Sequence, residues 1–203
     1  MRKMILVRCS RRLRAAWLGA AAIAASTGLS ASPAAEPSPT AAERCLASGD
    51  GYLRAQIAGA IEAHIDWPNA GTHCAGEPKV TPKGVRLSFR RSPSDAADLL
   101  LVFGLSGVRE GRPAREVGTN LTVIAHGRIY GTLGDSRCTV DALTQRRVGL
   151  SRLYRIEARG FCTQPAHAVR GDGAVLVSTF EFAGPVNYET ENDGAAPIPA
   201  VAK

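Results

Sequence analysis

Two residues near the C-terminal end of this chain are of types that do chemistry together: in ARGFCTQPAH, Cys162 stands five residues before His167. A thiolate beside an imidazole, with a third group orienting the base, is the arrangement of a cysteine nucleophile. A second set is Glu62, His64 and Asp66, spaced i, i+2, i+4. On an extended strand all three side chains leave from one face, where they could share a divalent metal in a metal-assisted hydrolase, completed by a distant His126 or His167. The same spacing is what the solvent face of an antiparallel strand ordinarily carries, and neither HExxH nor a paired Cys/His motif accompanies it.

Cationic candidates form a third set. Arg86, Ser88 and Arg90, continued by Arg91, alternate along one segment, and Arg155 and Arg159 flank Glu157 on another. Such rows can receive anionic headgroups or polysaccharide, although solvated strand faces with local ion pairs look the same. No aromatics interleave with them, which argues against nucleic acid. The stretch from 104 to 118, GLSGVREGRPAREVG, is a candidate binding loop presenting Arg109, Arg112 and Arg115. Arg170-Gly171-Asp172 is a competent turn, and Asn120-Leu121-Thr122 is a glycosylation sequon only in a host that reads it. Ser106 lacks the GxSxG frame, and no phosphate-cradling glycine loop follows a strand. No cofactor is expected.

What surrounds these residues decides between the readings. Six basic residues from Arg2 to Arg14 precede the apolar run AAWLGAAAIAASTGL, which predicts a secretory signal peptide with its cleavage region over 1–35, cleaved after Ala31 or Ala35. From Glu36 onward the chain keeps 19 Lys plus Arg against 18 Asp plus Glu, so the formal charge of +7 falls to +1. The basic balance belongs to the signal and names no partner. Cys9 leaves with it, and the four that remain, Cys45, Cys74, Cys138 and Cys162, read as two disulfides in an oxidising compartment, periplasmic or secreted.

Residues 36–44 read as a flexible leader, 45–183 as one β domain and 184–203 as a disordered tail. Within the domain the dominant period is two. Leu53 to Trp67 alternates, which predicts a strand after Ala60, while the recurrence of Leu53, Ile57, Ile61 and Ile65 every four residues leaves a helix open for the first half; shorter candidates follow at Val85–Arg90, Leu99–Leu105, Asn120–His126, Arg128–Leu133, Arg137–Arg146, Leu153–Cys162 and Ala174–Phe182. The run LLLVFGL suits a central strand covered on both faces. Many short strands with Gly-rich turns predict an all-β fold, a single antiparallel β-sandwich or barrel-like domain stapled by disulfides.

Pairing 137–146 with 153–162 around VGLSR sets opposite one another residues whose numbers sum to 300: Cys138 with Cys162, Ala142 with Ala158, Thr144 with Ile156. Opposed strand residues lie within disulfide reach. Cys162 is then scaffolding and not a nucleophile. By elimination Cys45 pairs with Cys74, tying the segment before the first long strand to the loop after it.

In DLLLVFGLSGVREG, GTNLTVIAHGRIYGTLGDSRCTVD and YRIEARGFCTQPAHAVRGDGAVLVSTFEFAG the chain resembles a family of small exported proteins of Gram-negative bacteria, with Asn120, Cys138, Gly160, Phe161, Cys162, Gly171, Phe180 and Phe182 as its signature residues. The resemblance implies one exported β domain and transfers no activity. The expected function is binding, of a protein or other envelope component, by a protein without an integral membrane span. A metal-assisted hydrolase and an inhibitor of a secreted enzyme are the alternatives.

Overall fold

A computed structural model of the chain describes residues 44–80, 83–91 and 99–189. The predicted signal segment, the leader up to residue 43 and the tail beyond 189 lie outside the described residues. Eleven strands follow one another: β1 (Tyr52–Gly59), β2 (Ala63–Pro68), β3 (Thr72–Lys79), β4 (Gly84–Arg91), β5 (Leu100–Ser106), β6 (Ala114–Ala125), β7 (Arg128–Gly131), β8 (Cys138–Arg147), β9 (Leu153–Cys162), β10 (Ala166–Ala168) and β11 (Ala174–Asn187). All belong to one antiparallel sheet in the order β2-β1-β11-β10-β7-β6-β5-β4-β3, with β8 and β9 inserted between β6 and β11. The all-β reading therefore holds.

Two long strands organise this sheet. β6 gives one edge to β8 over its first half and to β7 over its second, while β11 gives one edge to β10 at its start and to β9 beyond Phe180. The sheet folds on itself so that the inner face of β4 and β5 meets that of β11. Four rings fill the contact: Phe103 lies 4.9 Å from both Phe180 and Phe182, and Phe89 lies 5.3 Å from Phe182. Leu53, Val85, Leu87, Leu101, Leu105 and Val175 are fully buried around them. Period-two sequences form these strands because alternate side chains can leave water together.

Both predicted disulfides are present. Cys138 faces Cys162 across β8 and β9, and Cys45 joins Cys74 with Cα atoms 4.8 Å apart. Cys74 sits on β3, opposite Phe89, and not in a loop. The Cys45–Cys74 bond therefore ties the segment ahead of β1 to an outermost strand. That segment is also pinned by Asn69, whose Oδ1 accepts from the Leu46 and Gly51 amides at 2.8 and 3.0 Å.

The sequence reading needs further corrections. The stretch from Leu53 to Trp67 is a hairpin, β1 and β2, because Gly59 turns the chain at φ 112° and the turn returns odd-numbered residues to the same face, Leu53 against Trp67. The 300-sum register holds for Cys138–Cys162 and Val140–Gly160, then slips at a bulge on Asp141, so that Leu143 and not Ala142 faces Ala158. Leu143 is 1% exposed, and burying it is what the bulge accomplishes. β5 is covered on one face only, Leu100 and Val102 being half-buried. Residues 114–118 of the proposed loop belong to β6, paired with β8. The domain runs past 183: β11 continues to Asn187, with Val186 fully buried and Tyr188 nearly so.

Each disulfide closes a loop of 29 or 24 residues, worth about 3.5 kcal/mol in the chain-entropy description. Cys138→Ser should leave Cys162 alkylatable without reductant and lower unfolding stability by about 3 kcal/mol in a denaturant titration. Four alkylatable thiols in wild-type protein would contradict the pairing.

Candidate functional site

The sequence-derived site residues are scattered over several strands, turns and one loop. Cys162 is bonded to Cys138, and His167 stands exposed on β10, so no thiolate–imidazole pair forms. Glu62 lies in the turn ahead of β2, whereas His64 and Asp66 are strand residues already engaged by their neighbours on β1. His64 Nδ1 hydrogen-bonds Gln56, and Asp66 is 3.2 Å from Arg54. Among the described residues no three of His, Cys, Asp and Glu are close enough to share a metal. His126 is in the β6–β7 turn, on a different element from that strand.

Arg109 and Arg112 are exposed in the 107–113 loop, but Arg115 is a β6 residue opposite Ala142. The loop is held and not free. Gln145 of β8 donates from Nε2 to the carbonyls of Arg109 and Arg112 at 2.8 Å each, and Arg152 grips Glu110 through both carboxylate oxygens.

What the fold does assemble is a polar groove of about 410 Å³ on the outer face of β2, β1, β11, β9 and β8. Register explains its charges. Asp66 lies opposite Arg54, Arg54 opposite Glu181, Glu181 opposite Arg159, and Arg159 opposite Ala142 beside the Asp141 bulge. The row alternates in sign across five strands. Arg54 is shared, 3.2 Å from Asp66 and 3.8 Å from Glu181. Among the described residues Arg159 and Asp141 have no ion-pair partner within 4.0 Å, and both line the groove.

Backbone irregularities frame it. β11 carries an extra residue, Ser178, between Val177 and Thr179 where it pairs with β1, and β8 carries Asp141. Glu116, across from Asp141 on β6, adopts φ 52°. Bulges bend a sheet and re-aim side chains, and a non-glycine residue at positive φ persists only where its surroundings hold it. Gly160 forms part of the floor. A Cβ there would lie 2.1 Å from the Thr139 carbonyl oxygen and 2.8 Å from the Phe180 ring, so the position admits only glycine and keeps the floor low.

Beside the groove a denser network joins three segments. The Tyr52 hydroxyl lies 3.2 Å from Glu157 and 3.1 Å from Glu181. Arg155 donates to Glu157 at 2.6 Å and to the Asp50 carbonyl at 3.3 Å. Its Nε is 2.7 Å from the Asp50 carboxylate but off the line a hydrogen bond needs, so charge alone holds it. The hydrogen bond from Arg155 holds the Glu157 carboxyl below its usual range against the opposing effect of burial. Burial and two carboxylate neighbours push the Tyr52 phenol well above its ordinary range. For Arg155 burial opposes the charge, yet Glu157 and Asp50 together raise its affinity for the proton.

Arg159 was visible in the sequence as a residue flanking Glu157; Asp141 was not singled out. Its signal was a phase change, apolar residues at 138 and 140 giving way to 143.

Protonation should expose the network. Glu157 holds its proton less tightly folded than unfolded, so its contribution is complete above about pH 4.5 and is lost as pH falls through the lower folded value. Tyr52 has the opposite sign, its contribution being present below pH 10.0 and lost as pH rises beyond it. Thermal melts should therefore weaken at both extremes, and Glu157→Gln should flatten the acid limb; an unchanged acid limb in that variant would contradict the assignment. The described residues include no helix long and apolar enough to cross a membrane. The chain matches no protein-family model, no curated protein and no solved structure.

Proposed function

We propose that this chain is an exported binding protein of the cell envelope or periplasm, and that it engages a protein partner through the outer face of β2, β1, β11, β9 and β8. The observation that carries the reading is that Arg159 and Asp141, without an ion-pair partner among the described residues, line one bulge-framed groove in which Arg54 is already matched to Asp66 and Glu181. A cation and an anion left without partners at fixed positions on a rigid sheet suit a surface bearing the opposite pair. Export is supported by the two disulfides, which persist in oxidising compartments, and by the basic-then-apolar N-terminal sequence.

Protein is favoured over carbohydrate because the aromatic residue of the groove, Phe180, is 3% exposed and offers no stacking platform. The hydrolase alternative has lost its basis in Glu62, His64 and Asp66, since the last two serve as cross-strand partners of β1.

The test is affinity capture from envelope extracts with wild-type protein and the doubly charge-reversed variant Arg159→Glu, Asp141→Lys as baits, quantified by mass spectrometry. Wild-type bait should enrich at least one protein that the variant loses by about tenfold, equivalent to about 1.4 kcal/mol. Indistinguishable capture by two equally folded baits would remove this face from the function.

A further inference from the structure

A second surface, on the opposite half of the sheet, carries a different chemistry. Register aligns His73 with Arg90, Arg90 with Leu100, Leu100 with Ile124 and Ile124 with Ile129. The Val169 amide then donates to the Ile129 carbonyl at 2.9 Å, extending the row beyond β10. Alternation puts all of these side chains on the outer face, since their neighbours Phe89, Leu101, Val123 and Tyr130 are buried in the core. The row therefore runs basic at one end and apolar across β5, β6 and β7 to Val169, just beyond β10. Ile129 is 46% exposed and Val169 65%.

One basic side chain also stands at the far end. Arg128 is not it, since it leaves from the face of Ala125 and Tyr130 and lies over the Tyr130 ring, 5.4 Å from its centroid, while donating to the Asp172 carbonyl. Arg170 follows Val169 and is exposed. Four apolar residues in line with arginines at both ends are unusual for a solvated sheet face, which normally interleaves polar side chains. Charge complementarity selects the occupant. Exposed isoleucine and valine between guanidinium groups match the boundary of a lipid bilayer, where acyl chains take the apolar side chains and phosphates take the arginines.

We infer that the row Arg90–Leu100–Ile124–Ile129–Val169, with Arg170 beside it, docks the domain on the surface of a membrane containing anionic phospholipid. The docking is peripheral and reversible: the strands stay in the sheet and only side chains enter the interface. It leaves the groove on β1, β11 and β9 available to a partner, and it stands or falls independently of that groove.

The probe is co-sedimentation of the purified protein with vesicles of phosphatidylcholine alone and of phosphatidylcholine mixed with phosphatidylglycerol. Binding should favour the anionic vesicles and weaken as added salt shortens the screening length below its roughly 8 Å at physiological ionic strength. Arg170→Glu should lower partitioning about fivefold or more, the factor one basic residue near an anionic surface supplies. Ile129→Glu should lower it about tenfold, and Ile129→Thr, which keeps strand propensity, should lower it measurably with an unchanged melt. Equal binding to both vesicle types, or unaltered binding by the folded Ile129→Thr and Arg170→Glu variants, would overturn the proposal. So would a concentration-dependent dimer in sedimentation velocity that Ile129→Thr abolishes while neither vesicle binds wild-type protein, because the row would then be covered by a second copy. Charge reversal at Arg159 and Asp141 should leave vesicle binding unchanged, separating this surface from the groove.

Discussion

The fold depends on four phenylalanine rings having no spare volume around them. Phe89 and Phe103 come from one half of the sheet, Phe180 and Phe182 from β11, and they touch because the sheet closes over them. One glycine makes that closure possible, and a second lets the adjacent strands β9 and β11 lie flush beside a ring. A Cβ at Gly184 would lie 2.9 Å from the Phe89 ring, and one at Gly160 would lie 2.8 Å from the Phe180 ring. Ring-to-ring contact adds to the burial of the side chains themselves, so the layer contributes both attraction and a fixed spacing between the halves. The disulfides act at other points: Cys45–Cys74 ties the chain ahead of β1 to β3, and Cys138–Cys162 locks neighbouring strands in register.

The outer surfaces inherit their geometry from this layer. Phe180 is both a core ring and part of the groove wall, and Gly160 forms groove floor on one side and ring contact on the other. The bulges at Asp141 and Ser178 reconcile an interior that must bury Val140, Leu143, Val177 and Phe180 with strands whose hydrophobic phase changes midway. Their consequence outside is a bent sheet that presents Arg159 and Asp141 with no ion-pair partner among the described residues. The Tyr52–Glu157–Arg155–Asp50 network then fastens the segment leading into β1 onto β9, leaving that face rigid.

Much of the architecture was legible because burial imposes period two. The cysteines made one register explicit: Cys138 and Cys162 lie opposite one another where the apolar pattern also requires it. What escaped did so for identifiable reasons. The β1–β2 hairpin hid inside a continuous alternation, since its turn preserves parity. β3 was missed because Gly76, Glu77 and Pro78 are poor strand formers, tolerated there on a strand that pairs only with β4. The tail boundary was misplaced because GPVN resembles a loop, although Val186 is fully buried. Of the Glu62, His64 and Asp66 pattern, His64 and Asp66 do share a strand face, but the neighbouring strand already uses both, and Glu62 lies in the turn ahead of it. Arg159 and Asp141 could not be placed in one groove from the sequence alone, because the register that brings both there follows from the bulge.

The tight ring layer is tested most directly by Gly184→Ala, followed by denaturant unfolding at fixed pH. With carbon atoms of the Phe89 ring 2.9 and 3.2 Å from the new methyl position, the substitution should cost about 2 kcal/mol, within the range for overpacking a well-filled interior. A Gly184→Ala variant as stable as wild type would show that the halves are not pressed together over those rings.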